Sequence, residues 1–235
     1  MPIGCFLSGG LDSSLITYYL SEISTEKVKT FNIGFEDSSF DETNYANIIS
    51  KYFDTDHHAE TFSESKMFEL LPKIWKNMDE PFADPSLLPT FLLSHFTNQQ
   101  VKVCLSGDGA DEIFAGYPTY LAHKITSLVP RQLYGIINQT SSFLPVSHKN
   151  MSFDFKLRQF SRGLNYGRQE RHQYWLGSFT NNEKQKHYGK HFIELLSNKN
   201  NLIRIMEKHS NELKGWEINL KQDFNFYLTD DMLVK

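Results

Sequence analysis

The segment that most constrains this chain is Ser8-Gly9-Gly10-Leu11-Asp12-Ser13-Ser14, set between an apolar run, Pro2 to Leu7, and a helix-like stretch, Asp12 to Ile23. Two adjacent glycines remove side chains where the backbone leaves a strand, and they tolerate positive φ. Backbone N–H groups can therefore come close to an anion there. The helix that follows points its unpaired N–H groups and the positive end of its dipole at the same spot. Ser8, Ser13 and Ser14 add hydroxyl donors. The segment reads as a phosphate cradle at the carboxyl end of a strand. Asp12 does not suit direct contact with phosphate, but a carboxylate beside phosphates makes sense when Mg²⁺ bridges them. The loop lacks the Gly-Lys-Ser/Thr ending of the Walker loop and the spacing of a dinucleotide fingerprint, which disfavours a β,γ-cleaving NTPase or a nicotinamide enzyme. Taken alone, it is also compatible with a glycine turn capped by serines.

The pattern around the loop argues for an α/β fold. After the first strand and helix, Val28 to Phe35 reads as a second strand and Asp41 to Tyr52 as a second helix, with Asp41 as N-cap. His57 to Phe62 gives a third strand, Ser63 to Met78 a third helix, Ser86 to Asn98 a fourth helix and Val101 to Leu105 a fourth strand. Such alternation predicts a parallel, Rossmann-like sheet with helices on both faces. Leu11, Leu15 and Tyr18 or Tyr19 are expected to form the inward face of the first helix. From about residue 119 to 235 only helical periods appear, broken near Pro130, Pro145 and Gly163. The expected division is a nucleotide-binding core over 1–118 and an α-helical part over 119–235.

Composition supports a folded chain. Of 235 residues 40% are apolar and 22% charged, with 19 Phe and 11 Tyr, far from the profile of a disordered polypeptide. A net charge of −4, from 24 basic and 28 acidic residues, gives no reason to expect nucleic acid as a partner. Arg158, Arg162, Arg168 and Arg171 recur near helical spacing and read as a solvated helix face. Cys5 and Cys104 are too few for a disulfide framework or a four-cysteine zinc site and read as buried small side chains. His57 and His58 follow Asp54 and Asp56, but neighbours on a strand point to opposite faces, so no shared metal is expected. Trp75, Trp175 and Trp216 read as core residues. With no charged leader and no apolar stretch of membrane-spanning length, a cytoplasmic location is expected. The glycosylation-type triplets at Asn138 and Asn150 are then chance matches. Met1 enters a strand at once and Leu228 to Lys235 starts like an amphipathic helix with no C-cap, so both ends are expected to be cut.

A second loop, Leu105-Ser106-Gly107-Asp108-Gly109-Ala110-Asp111-Glu112, follows the fourth strand. Three carboxylates within five residues repel one another unless a cation or a positive substrate group joins them. Between the two loops lies Asp79-Glu80-Pro81-Phe82-Ala83-Asp84-Pro85-Ser86. Together, in this order and spacing, the three segments resemble the synthetase (ATP-pyrophosphatase, PP-loop) domain of glutamine-hydrolysing asparagine synthetases, over nearly the whole chain.

That resemblance implies a core of the adenine nucleotide alpha hydrolase-like type and a two-step reaction. ATP adenylates the side-chain carboxylate of aspartate and releases pyrophosphate; ammonia drawn from glutamine then attacks the β-aspartyl-AMP. By position, Phe6 and Ile33 match places that hold adenine by backbone contacts, Phe6 standing where the family more often has an aliphatic residue. The whole segment from Phe6 through Leu7, Ser8, Gly9, Gly10, Leu11, Asp12 and Ser13 to Ser14 matches the pyrophosphate loop. Ser106 and Gly107 match an ATP-contacting pair, and Asp108 matches the acid implicated in adenylate formation and in handling the ammonia proton. Asp12 and Asp111 match the Mg²⁺ and pyrophosphate neighbourhood. Asp84 and Ser86 are candidate substrate contacts, although Asp84 before Pro85 is equally suited to cap a helix. The family also carries a glutaminase domain with an N-terminal Cys nucleophile, and, beyond a Leu-Val-Lys stretch, an Asp-Arg pair and a catalytic Lys. None of these occurs here, and Cys5, inside a strand, cannot replace that nucleophile. Two other readings stand beside it: a related carboxylate-adenylating amide former, β-lactam synthetase-like or polysaccharide-modifying, and a non-catalytic nucleotide-binding fragment.

Overall fold

The computed structural model describes residues 3–80, 82, 84–177, 179–197, 213 and 215–234. The chain divides into two compact units, Met1–Ala110 with Asp231–Lys235, and Asp111–Asp230.

The first unit is built on a four-stranded, all-parallel sheet. Its strands are β1 (Ile3–Phe6), β2 (Lys29–Phe35), β3 (Asp56–Phe62) and β4 (Val103–Leu105), in the order β3-β2-β1-β4. The helices are α1 (Leu11–Ile23), α2 (Thr43–Tyr52), α3 (Glu64–Asn77) and α4 (Leu87–Thr97). Right-handed crossovers place α1 and α2 on one face, and the return from β3 to β4 places α3 and α4 on the other. Neighbouring residues of β2 show both layers. Ile33 packs with Leu70, Ile74 and Leu92 of α3 and α4, while the Asn32 amide accepts from the Thr43 hydroxyl of α2 at 3.0 Å. Gly4 makes the sheet fit locally, because a Cβ there would lie 2.7 Å from the Phe31 ring.

The inward face of α1 differs from expectation. Ser13, Thr17 and Leu20 are buried, whereas Leu11 is 82% and Tyr19 60% exposed. Small side chains let the helix lie close to β1, where the Thr17 hydroxyl donates to the Ser13 carbonyl and touches Cys5 Sγ at 3.4 Å. The buried stripe lies about half a turn from the apolar one. Asp41 also differs, since Glu42 occupies the N-cap position of α2. Asp41 instead accepts from the Thr43 N–H and hydroxyl and from the Phe35 N–H, joining the end of β2 to the helix start. At the other end of the sheet His57 contacts the Thr30 hydroxyl while His58 contacts Gln100 and stacks on Phe31, on opposite faces as expected. Burial pushes both thiols up, that of Cys104 to about 12, so neither is a thiolate near neutral pH.

The second unit contains no strand among the described residues. It begins within α5 (Ala110–Phe114) and continues through α6 (Pro118–Leu128), α7 (Tyr134–Phe143), α8 (Phe153–Gly163), α9 (Arg168–Leu176), α10 (Asn181–His187) and α11 (Lys190–Ser197). A final helix, Glu217–Gln222, runs on into a π-helical stretch, Asp223–Leu228. Thr229 and Asp230 extend that helix instead of starting a new one, and Met232–Val234 forms a single 3₁₀ turn. Three of the four arginines are structural. Arg171 donates to the carbonyls of Gly163, Leu164 and Tyr166, Arg158 to that of Leu144, and Arg162 pairs with Glu183 at 2.7 Å. At these three positions the solvated face expected from the spacing gives way to bonds within the protein. Trp175 is buried, but Trp75 and Trp216 are 66% and 56% exposed, against the expectation of core burial.

Candidate active site

Both glycine loops open at the carboxyl ends of their strands. In the order β3-β2-β1-β4 the chain leaves β1 in one direction for β2 and returns past it to β4, which creates a crevice beside the end of β1. A cavity of about 340 Å³ lies there, within the size range of small-molecule sites, roughly 300–1,000 Å³. The first loop contributes Phe6, Leu7, Ser8, Gly10, Asp12 and Ser13, the second Ser106, Gly107 and Asp108. β2 adds Phe31, Asn32 and Ile33; Glu42 comes from the start of α2, and Pro89, Thr90 and Leu93 from α4.

The first loop is held open by its own hydroxyls. Ser13 Oγ lies 3.0 Å from Ser8 Oγ, accepts from the Ser8 N–H at 3.3 Å and donates to the Gly10 carbonyl. Ser8 Oγ accepts from the Gly10 N–H at 3.2 Å. Gly10 takes the N-cap position of α1 with no side-chain cap, and the first-turn N–H groups of the helix have no intrahelical acceptor. Gly9 faces away from the cavity. Its φ is +82°, and a Cβ would lie 2.5 Å from the Tyr45 carbonyl carbon and 2.7 Å from the Ala46 nitrogen. Glycine is thus required both by conformation and by the close approach of α2. The loop is also tied to the sheet, since Asn32 Nδ2 donates to the Leu7 carbonyl and the Leu7 N–H donates to the Phe31 carbonyl.

The second loop packs directly on the first. A Cβ on Gly107 would come within 3.1 Å of the Ser13 nitrogen and 3.2 Å of Asp12 Cβ, so a side chain there would press on the first loop. Ser106 Oγ donates to Asp108 Oδ2 at 2.8 Å and accepts the Asp108 N–H, which orients that carboxylate in the cavity wall. Gly109, with φ +91°, turns the chain into α5.

Other expected site residues lie elsewhere. Leu11 and Ser14 line a separate apolar groove with Leu15, Tyr18, Ile48 and Tyr52. Asp84 Oδ1 accepts the Ser86 N–H at 2.8 Å just before α4, so it serves the helix start, with Ser86 rather than Asp84 in the N-cap position. Pro81 and Ala83 of that segment lie outside the described residues. Asp111 belongs to the second unit. There it leaves no room at Gly116, where a Cβ would be 1.9 Å from Asp111 Oδ1. Beside it Glu112 is 1% exposed and accepts from the Tyr117 hydroxyl. Among the described residues no group of three or more His, Cys, Asp and Glu gathers in a metal-holding arrangement, and no helix is long and apolar enough to cross a membrane.

Glu42, Asn32 and Thr90 are cavity residues that the motifs did not reveal. They stand 32, 22 and 80 residues beyond Gly10, and only the doubly wound topology brings them to one crevice. The general rule that ligands bind outside the carboxyl ends of the strands at the switch point locates the crevice but names none of these residues.

Comparison with known proteins agrees with the geometry. A Methanocaldococcus jannaschii protein named provisionally as a glutamine-hydrolysing asparagine synthetase is 43% identical over 147 residues, 62% of this chain and 28% of the relative. Glutamine-hydrolysing asparagine synthetase 1 of Bacillus subtilis is 33% identical over 155 residues, 65% of this chain and 24% of the relative. Glutamine-hydrolysing asparagine synthetase 2 of Oryza sativa subsp. japonica is 33% identical over 129 residues, 50% of this chain and 22% of the relative. The chain spans about a quarter of the length of these curated relatives. The family model for asparagine synthase matches residues 1–235, and the chain belongs to the asparagine synthase family.

Proposed function

We propose that this chain supplies the adenylating site of an ATP-dependent amide ligase that converts aspartate to asparagine. The observation that carries the reading is the close approach of Gly107 to the start of α1, which makes the two motif loops adjoining walls of one cavity. The adenine sits against the strand ends at Phe6 and Ile33, with Ser106 and Gly107 beside it. Ser8, Gly10, Asp12 and Ser13 take the triphosphate. An oxygen of the aspartate side chain attacks the α-phosphorus, and the bond to the bridging oxygen breaks with its electrons leaving on pyrophosphate. Negative charge then builds where the α1 N–H groups and the Ser8 and Ser13 hydroxyls are already fixed, so little reorganisation is needed. Ammonia next attacks the acyl carbon, AMP departs, and Asp108 takes the proton that the nitrogen must lose.

Mg²⁺ fits the donor set of this cavity. The ion commonly uses one or two carboxylates together with substrate phosphates instead of an all-protein cage, and Asp12 stands in the wall beside the phosphate loop. Bound there, the ion would offset charge on the pyrophosphate. Asp111 is a further proposed contact of this kind, on the strength of the family motif alone. The ammonia source is proposed to be a glutaminase domain, as in relatives named glutamine-hydrolysing.

The test is pyrophosphate release with aspartate and Mg-ATP, in this chain and in a version lengthened at both ends to the span of its relatives. Aspartate-dependent release by the longer protein supports the assignment. Its absence there, with ATP still bound, leaves asparagine synthesis the wrong reaction.

A further inference from the structure

The cavity has three carboxylates in its walls, and only two have work in the proposed reaction. Asp12 belongs to the phosphate loop and Asp108 to the second loop, whereas Glu42 comes from the N-cap of α2. Its neighbours matter. Asn32 and Thr43 bond to each other, and Asp41 is spent on Thr43 and Phe35. Asp41 thus fixes the chain that presents Glu42, and no ion pair joins Glu42 to a cation among the described residues. Glu42 is itself solvent-exposed, and partial desolvation, followed by the charge of Asp41, raises its carboxyl above the ordinary glutamate range.

A carboxylate in this position would repel a phosphate. It is well matched to neutral hydroxyl donors, because hydrogen bonds to a charged acceptor are stronger than neutral ones. A parallel exists in dinucleotide-binding sheets, in which an acid after the second strand takes ribose hydroxyls while the phosphates rest at the first helix. Here the first helix is α1 and the second strand is β2, and Ile33, Asn32 and Glu42 line the same cavity as the phosphate loop.

We infer that Glu42 accepts hydrogen bonds from the ribose hydroxyls of the nucleotide, making the site selective for ribonucleotides over deoxyribonucleotides. The inference rests on the ATP reading above and adds which end of the nucleotide faces α2. Glu42 is a specificity residue and takes no part in bond making.

Calorimetric titration of this chain with the Mg²⁺ complexes of ATP, 2′-deoxy-ATP and 3′-deoxy-ATP tests it. The wild type binds ATP at least about tenfold more tightly than one or both deoxy analogues, the range expected for a hydrogen bond to a charged group. In Glu42→Ala and in the near-isosteric Glu42→Gln the ratio falls toward one, whatever happens to the absolute affinity. Equal binding of all three nucleotides by the wild type, or a ratio preserved in both variants, overturns the ribose contact while leaving the nucleotide site standing. Failure of the folded wild type to bind any of the three overturns the ATP reading and this inference with it. A ratio that collapses in Glu42→Gln is not explained by misfolding, since misfolding weakens all three nucleotides alike.

Discussion

At Gly9 a single hydrogen in place of a side chain decides whether the phosphate loop can exist. The residue combines φ +82° with backbone atoms of α2 about 2.5 Å from where a Cβ would be. The left-handed conformation alone costs an alanine about 1–2 kcal/mol, and backbone neighbours cannot give way as a flexible side chain would. Gly9→Ala is therefore expected to lower the denaturation midpoint by at least that energy and to weaken ATP binding about tenfold or more. An unchanged midpoint and affinity would show that the loop does not depend on this close approach. Asp12→Asn acts differently, because it keeps the shape and removes the charge. Aspartate-dependent pyrophosphate release by the lengthened protein should fall at least about tenfold as metal assistance is lost, with the thermal midpoint unmoved; unchanged turnover would remove Asp12 from the metal. Residues such as Ser8, Gly10, Ser13 and Gly107 were legible in the sequence because their chemistry is local: a glycine-serine turn needs only its own strand and helix. Glu42, Asn32 and Thr90 were not, because each gains its role from a crossover that local pattern does not encode.

Between elements, hydrophobic period predicted the helices but not always which side they bury. On α1 the apolar residues Leu11, Leu15 and Tyr19 face outward, and the sheet takes Ser13, Thr17 and Leu20 because a close helix-to-strand approach selects small side chains. The arginines of α8 and α9 were misread for a similar reason. Charge at helical spacing says nothing of whether carbonyls await it. Arg171 satisfies three carbonyls at and beyond the end of α8, and its guanidinium lies 5.9 Å from the centre of the Trp175 ring. Arg171→Ala should cost about 1–3 kcal/mol, as expected for losing partly buried, charge-assisted hydrogen bonds, read from the urea midpoint and slope; a loss below about 0.5 kcal/mol would make the arginine dispensable. A buried relay joins α6, α9 and the π-helical stretch. Tyr120 donates to Asp223, His172 donates to the other Asp223 oxygen at 2.7 Å, and His172 meets His123 at 3.1 Å. Burial first, then His172, Arg168 and Arg171, depress the His123 pKa to about 3. Asp111 and Glu112 also face Tyr120 electrostatically. His123 is thus neutral when folded and takes a proton more readily when unfolded, so its contribution is complete above about pH 6.5 and is lost progressively as pH falls toward about 3. Urea midpoints between pH 6.5 and 5 should therefore fall less steeply in His123→Gln than in the wild type, and equal slopes would refute the depressed pKa.

For the molecule as a whole, the parallel sheet and the helical second unit follow from one change in pattern, strand and helix alternating before β4 and helix alone after it. The exposure of Trp75 and Trp216 was not legible at that level, since aromatic content predicts how much apolar surface exists but not which of it a given fold covers. The division into units does carry a thermodynamic consequence. Every residue lining the cavity comes from Met1–Ala110, so a nucleotide bound there stabilises that unit directly. Linkage gives about 2.7 kcal/mol when free ligand stands at 100 times its dissociation constant, and for a chain of this length each kcal/mol moves a melting midpoint by roughly 2–4 °C. Differential scanning calorimetry with Mg-ATP should accordingly show a rise of roughly 5–11 °C, growing with the logarithm of nucleotide concentration. If the two units melt in separate transitions, only the one assigned to the sheet should move, which selective loss of strand signal in infrared spectra would identify. Asp12→Asn should keep the rise with ATP in EDTA and lose the added rise with Mg²⁺, separating the metal from the cradle. A melting curve unmoved by ATP at any concentration, with or without the ion, would mean that the crevice beside β1 is not a nucleotide site.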